Sequence, residues 1–103
     1  MASVDYLIKQ FLTPDKKNLD LSNQGIGDKG AITLSKSKNL SRLKKLILPN
    51  NNISDEGCAA IANSEYFKQL TDLDIYGNVI SDDGVKAIAE SPYMSNLKKL
   101  SLY

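Results

Sequence analysis

Histidine and tryptophan are absent from this 103-residue sequence, and cysteine occurs once. Without histidine the chain lacks the commonest general base, the usual imidazole metal ligand and the side chain that switches charge near neutral pH. Most hydrolytic mechanisms are therefore hard to assemble, and neither a cofactor nor a catalytic role is expected. Arginine is nearly missing too: twelve of the 13 basic residues are lysine, and Arg42 is the exception. Forked contacts to phosphate or guanine are thus scarce, so nucleic acid is not an expected partner. The formal net charge of +1 is too small to draw in a partner by electrostatics alone.

Cys58, standing alone, can form no intrachain disulfide, whereas small domains that work outside cells usually need them. An intracellular setting is the expectation: the cytoplasm or, for a pathogen's protein, the inside of a host cell. The opening stretch "MASVDYLIKQFL" has no basic leader region and too short an apolar run for a signal peptide or a membrane span. No membrane association is expected. The length suits one small domain with a modest core.

What the sequence does have is a period. Leu43, Leu70 and Leu97 are spaced by 27 residues, and Leu19, Leu46, Leu73 and Leu100 keep the same step. So do Ile26, Ile53 and Ile80; Asp28, Asp55 and Asp82; Gly30, Gly57 and Gly84; and Ser37, Ser64 and Ser91. Each unit opens as L-x-x-L-x-L-x-x-N-x-I, as in "LKKLILPNNNI" and "LTDLDIYGNVI". Leu46 with Leu48, and Leu73 with Ile75, lie two apart, so a short strand points both to one face. Cys58, Ile61 and Ala62, then Val85, Ile88 and Ala89, form one stripe of a helix. Ser54 or Asp55, and Ser81 or Asp82, are its candidate N-caps. Glycine is a poor helix former, so Gly30, Gly57 and Gly84 in the first helical turn predict close packing against a neighbouring loop.

With these columns in register, the sequence resembles the leucine-rich repeat family, in its long, ribonuclease-inhibitor-like, helix-containing subclass. The resemblance covers residues 16–103. It implies an α/β leucine-rich repeat solenoid, with a short curved parallel sheet on the concave face and helices on the convex face. Asn51 and Asn78 match the family's asparagine that bonds backbone along the inner turn; Gln24 departs from it. Residues 1–15 are expected to form an N-terminal helical cap. Val4, Leu7, Ile8, Phe11 and Leu12 make its apolar stripe, which ends near Pro14. The repeats are then 16–42, 43–69, 70–96 and a partial unit, 97–103.

The resemblance also implies a non-catalytic module for protein–protein interaction, binding a protein partner on the concave face. The third, fifth and seventh motif positions line that face. They are Asn18, Lys45, Asp72 and Lys99; Asp20, Ile47, Asp74 and Ser101; and Ser22, Pro49, Tyr76 and Tyr103. Within them, Ile47, Pro49, Asp72, Asp74, Tyr76, Lys99 and Tyr103 are the candidate partner-binding residues, because aromatic and apolar groups with polar anchors are enriched at hot spots. The alternating Lys45, Asp72 and Lys99 are more simply cross-strand charge neighbours.

The last unit, "LKKLSLY", supplies a strand and then stops, which exposes an edge at Leu97, Leu100 and Leu102. Either the chain is part of a longer array, or a second copy pairs here to give a homodimer, or Tyr103 and the lysines protect a short edge. Lys36, Lys38, Arg42, Lys44 and Lys45 read as a solvated basic surface, and Cys58 as a core residue. A regulator of a small GTPase, for which Arg42 would be the phosphate-directed residue, is the least supported alternative.

Overall fold

A computed structural model describes residues 3–102. Four strands of three residues each form one parallel sheet in chain order: β1 (Asn18–Asp20), β2 (Lys45–Ile47), β3 (Asp72–Asp74) and β4 (Lys99–Ser101). Their register is Asn18, Lys45, Asp72, Lys99, so it advances by the sequence period at every step. Equal repeats stack without slippage because a shift of one residue would turn each buried leucine to the solvent face. Helices alternate with the strands: α1 (Val4–Phe11), α2 (Gly27–Ser35), α3 (Asp55–Ala62) and α4 (Asp82–Glu90). The result is the open α/β arrangement of a repeat solenoid.

The core runs as columns through the stack. Leu19, Leu46 and Leu73 are buried on the inner side of the sheet, with Leu21, Leu48 and Ile75 beside them. From the helices come Ala31 and Leu34, then Cys58, Ile61 and Ala62. Short 3-10 turns at Lys38–Leu40 and Glu65–Phe67 return the chain from helix to strand and seat Leu40 and Phe67 in the core, fully buried.

Helix α1 covers the first repeat with Leu7 and Ile8. Ser3 caps it by accepting from the Tyr6 N–H at 3.2 Å. The apolar stripe read from the sequence is narrower in the structure: Phe11 is 46 % exposed. The helix stops at Phe11 because Leu12 turns extended and makes an antiparallel bridge to Leu19, drawing the chain into the sheet before Pro14.

Three polar columns hold the repeats to one another. Asn51 is fully buried; its Oδ1 accepts from the Gln24 and Ile26 N–H groups, and its Nδ2 donates to the Leu21 and Pro49 carbonyls. Asn78 repeats this one unit later, accepting from Asn51 and Ile53 N–H and donating to Leu48 O. Each asparagine thus serves the repeat before it. This accounts for Gln24: the first repeat has only α1 behind it, and no turn there needs an asparagine. Asn50 and Asn52, which flank Asn51, both take left-handed backbone, a conformation asparagine tolerates better than most residues.

The aspartate column works in the other direction. Asp28 Oδ1 accepts from Ser54 N–H at 2.7 Å and Gly57 N–H at 3.1 Å, and its Oδ2 accepts from the Ser54 hydroxyl at 2.6 Å. Asp55 makes the same contacts to Ser81 and Gly84. Asp55, read with Ser54 as an alternative cap of its own helix, caps the helix of the following repeat instead, as Asp28 does, because parallel stacking brings consecutive helix starts side by side. Ser54 accordingly donates to Asp28 and makes no side-chain cap of its own helix. Gly57 is glycine for the same reason: a Cβ there would lie 2.5 Å from Asp28 Oδ1 and 2.8 Å from Ile53 Cγ2. The serine column closes the far end of each helix, with Ser64 Oγ donating to Ser35 O and Ser91 Oγ to Ala62 O.

These contacts hold the Asp28 and Asp55 carboxyls below their ordinary value of 3.8, chiefly through the hydroxyls of Ser54 and Ser81. An acid with a depressed folded-state pKa stabilises at pH above its unfolded value, and that contribution disappears as pH falls through the folded-state pKa. Stability is therefore expected to hold down to about pH 4 and to drop below it. Asp28→Ala is expected to cost roughly 1 kcal/mol at neutral pH, the usual worth of a helix cap, and to flatten the acid limb of a urea-denaturation series. An acid limb of unchanged steepness in Asp28→Ala would contradict this assignment.

Candidate functional site

The sheet face opposite the helices is built by alternation: Leu46 and Leu73 point inward, so their neighbours Lys45, Ile47, Asp72 and Asp74 point out. Cα pairing sets Asp72 between Lys45 and Lys99, and Asp74 between Ile47 and Ser101. Ile47, Asp72, Asp74 and Lys99, named from the sequence, come together around a depression of about 110 Å³ that Leu73 and Ser101 complete. Hydrogen bonding continues beyond the strands. Asn23 N–H donates to Pro49 O at 3.0 Å and Asn50 N–H to Tyr76 O at 2.9 Å, which places Pro49 and Tyr76 in consecutive turns. Tyr76 is 50 % exposed. Tyr103, the next residue of that column, lies outside the described residues.

The acidic residues are also structural. Asp74 Oδ1 accepts from Tyr76 N–H at 3.0 Å, as Asp20 Oδ1 does from Ser22 N–H. Asp74 therefore fixes the turn that presents Tyr76, a role the sequence did not disclose. Asp72 Oδ1 accepts from the Thr71 hydroxyl at 3.0 Å.

The lysine-rich stretch runs from the end of α2 to β2. Lys36 caps the end of α2 and, with Lys38 and Lys9, borders an open hollow beside α1 that also contains Asp5. Lys45 lies on the sheet and Arg42 in the loop before it.

Cys58 is buried on α3, its Sγ 3.5 Å from Gly84 O of α4. Burial, with the Asp55 charge adding to it, pushes the thiol up to about 11. The thiolate is the reactive form, so Cys58 in the folded protein is expected to resist iodoacetamide at pH 8 and to be alkylated once guanidinium unfolds the chain. Intact-mass measurement would show it, and rapid alkylation without denaturant would contradict the packing of α3 on α4. Among the described residues no helix is long and apolar enough to cross a membrane.

A family model described as a leucine-rich repeat matches residues 17–35, 40–62 and 69–89. These segments contain β1 with α2, β2 with α3, and β3 with most of α4. No curated protein is similar enough to the chain to count as a match.

Proposed function

This chain belongs to the leucine-rich repeat family, and from that premise we propose that it is a non-catalytic module that binds a protein partner on the outer, concave face of its sheet. Repeats of this family generally mediate protein–protein interaction. The observation that carries the reading to particular residues is the convergence of Ile47, Asp72, Asp74 and Lys99 around one depression, with half-exposed Tyr76 and Pro49 beside it. A flat apolar body with a hydroxyl tip gives Tyr76 a large contact area at little entropic cost, and aspartates at its flank give direction. The full helix between successive strands supports the ribonuclease-inhibitor-like subclass.

The test is affinity capture with the immobilised protein, followed by Kd measurement on each captured partner. Ile47→Asp combined with Tyr76→Ala is expected to weaken binding by roughly 30-fold or more, the effect of losing a hot spot. Lys86→Glu on α4 is expected to leave it unchanged. A partner that ignores the sheet variant and is lost on the helix variant would place binding elsewhere.

A further inference from the structure

Away from the aspartate caps, the far ends of the helices build a second surface. The turns after α2, α3 and α4 stack there as the strands do, and the position of Asn39 recurs one repeat on as Tyr66 and again as Tyr93. Both rings are half-buried against the core. With Asn63, Glu65 and Lys36 they line an open hollow of about 520 Å³. Lys36 also borders the hollow beside α1, so the two adjoin and make one groove along this rim of the stack.

The tyrosines stand on a fixed floor. Ser64 Oγ donates to Ser35 O at 2.6 Å, Asn63 Nδ2 to Ala59 O at 3.0 Å, and Tyr93 N–H to Ser91 Oγ at 3.0 Å. Little of that floor has to be ordered when a ligand arrives, which lowers the cost of binding. Charge changes sign along the groove. Lys9, Lys36 and Lys38 border its α1 end against one carboxylate, Asp5. Toward the other end Glu65 stands beside the C-terminus of α3, whose last turn has no basic residue to offset the negative end of its dipole.

We infer that this rim is a docking groove for an extended segment of a partner protein, acidic at the α1 end, with proline or aliphatic residues against Tyr66 and Tyr93 and a cation beside Glu65. Packed helices lie about 8–10 Å apart, so the steps from α1 to the turn after α4 span roughly 25–30 Å, the reach of about eight extended residues. A uniformly acidic segment does not fit, because Glu65 and the end of α3 would repel its far end. The inference is independent of what binds the sheet face.

The probe is the fluorescein-labelled peptide Glu-Glu-Pro-Leu-Pro-Leu-Pro-Arg, titrated with the full chain and read by fluorescence anisotropy. Saturable binding with a Kd below about 1 mM is expected. Lys36→Glu combined with Lys38→Glu, both at exposed positions that leave the core untouched, is expected to weaken it by roughly 10-fold or more, and Tyr66→Ala by about 10-fold. Lys86→Glu on α4 makes the same charge change away from the groove and is expected to have no effect. Absence of saturable binding overturns the proposal. So does equally tight binding of a peptide with glycine in place of its prolines and leucines, which would reduce the groove to a general attraction for charge. A loss on Lys86→Glu or Ile47→Asp that matches the loss on the lysine pair also overturns it, since the peptide would then sit elsewhere.

Discussion

Asn51→Ala is expected to lower the free energy of unfolding by about 3 kcal/mol, a large share of the 5–15 kcal/mol that domains of this size usually have. The substitution removes both acceptor bonds from Gln24 and Ile26 and both donor bonds to Leu21 and Pro49. An alanine methyl replaces none of them. Because Asn51 is fully buried, water cannot easily take over, and each stranded backbone group bears its own desolvation cost of roughly 1–3 kcal/mol. The melting midpoint should fall by more than about 10 °C. Asn78→Ala removes similar bonds at a half-buried position, where solvent can replace them, so its effect should be clearly smaller. Equal losses in the two variants would show that burial does not set the strength of this ladder.

Phe67→Ala is expected to cost about 3–5 kcal/mol, the range for emptying a buried aromatic site. Phe67 is fully buried in the turn between α3 and β3, and Leu40 occupies the equivalent place between α2 and β2. Met94 continues the column. Since a leucine already serves at one of these sites, Phe67→Leu should cost less than about 1.5 kcal/mol, as near volume-conserving core changes do. Denaturant titration of both variants separates the readings: similar large losses would mean that the aromatic ring itself, and not filled volume, is required there.

The strands and the stripe of α3 were legible because inward positions recur at two fixed periods, one within each element and one between repeats; of the stripe Val85, Ile88 and Ala89 on α4 only Ile88 is buried, and Ala89 is exposed. Leu46 with Leu48 identified a strand, and Cys58 with Ile61 and Ala62 a helix, without reference to any partner. Alternation puts Ile47, Asp72, Asp74 and Lys99 on the solvent side of the strands, and the resemblance to leucine-rich repeats marks that side as the binding face; the four border one depression. The direction of the polar columns was not legible. Asp28, Asp55 and their serines repeat visibly, but whether a carboxylate caps its own helix or the next depends on the lateral placement of two helices, which spacing along one chain does not encode. Gln24 looked like a lapse in the pattern and is instead a position with no preceding turn to serve. The column of Leu40, Phe67 and Met94 keeps the same period, but its three residues differ in shape, so residue identity does not disclose it. Phe11 was assigned to the buried stripe by helical spacing, yet the bridge of Leu12 to Leu19 ends the helix there and leaves the ring half-exposed.

Hydrogen–deuterium exchange of the protein alone and bound to a captured partner tests the central claim most directly. Binding on the sheet face predicts slowed exchange in the segments 45–49 and 72–76, with the amides of α2, α3 and α4 unchanged. Slowed exchange confined to those helices, with both strand segments exchanging as in the free protein, would contradict it.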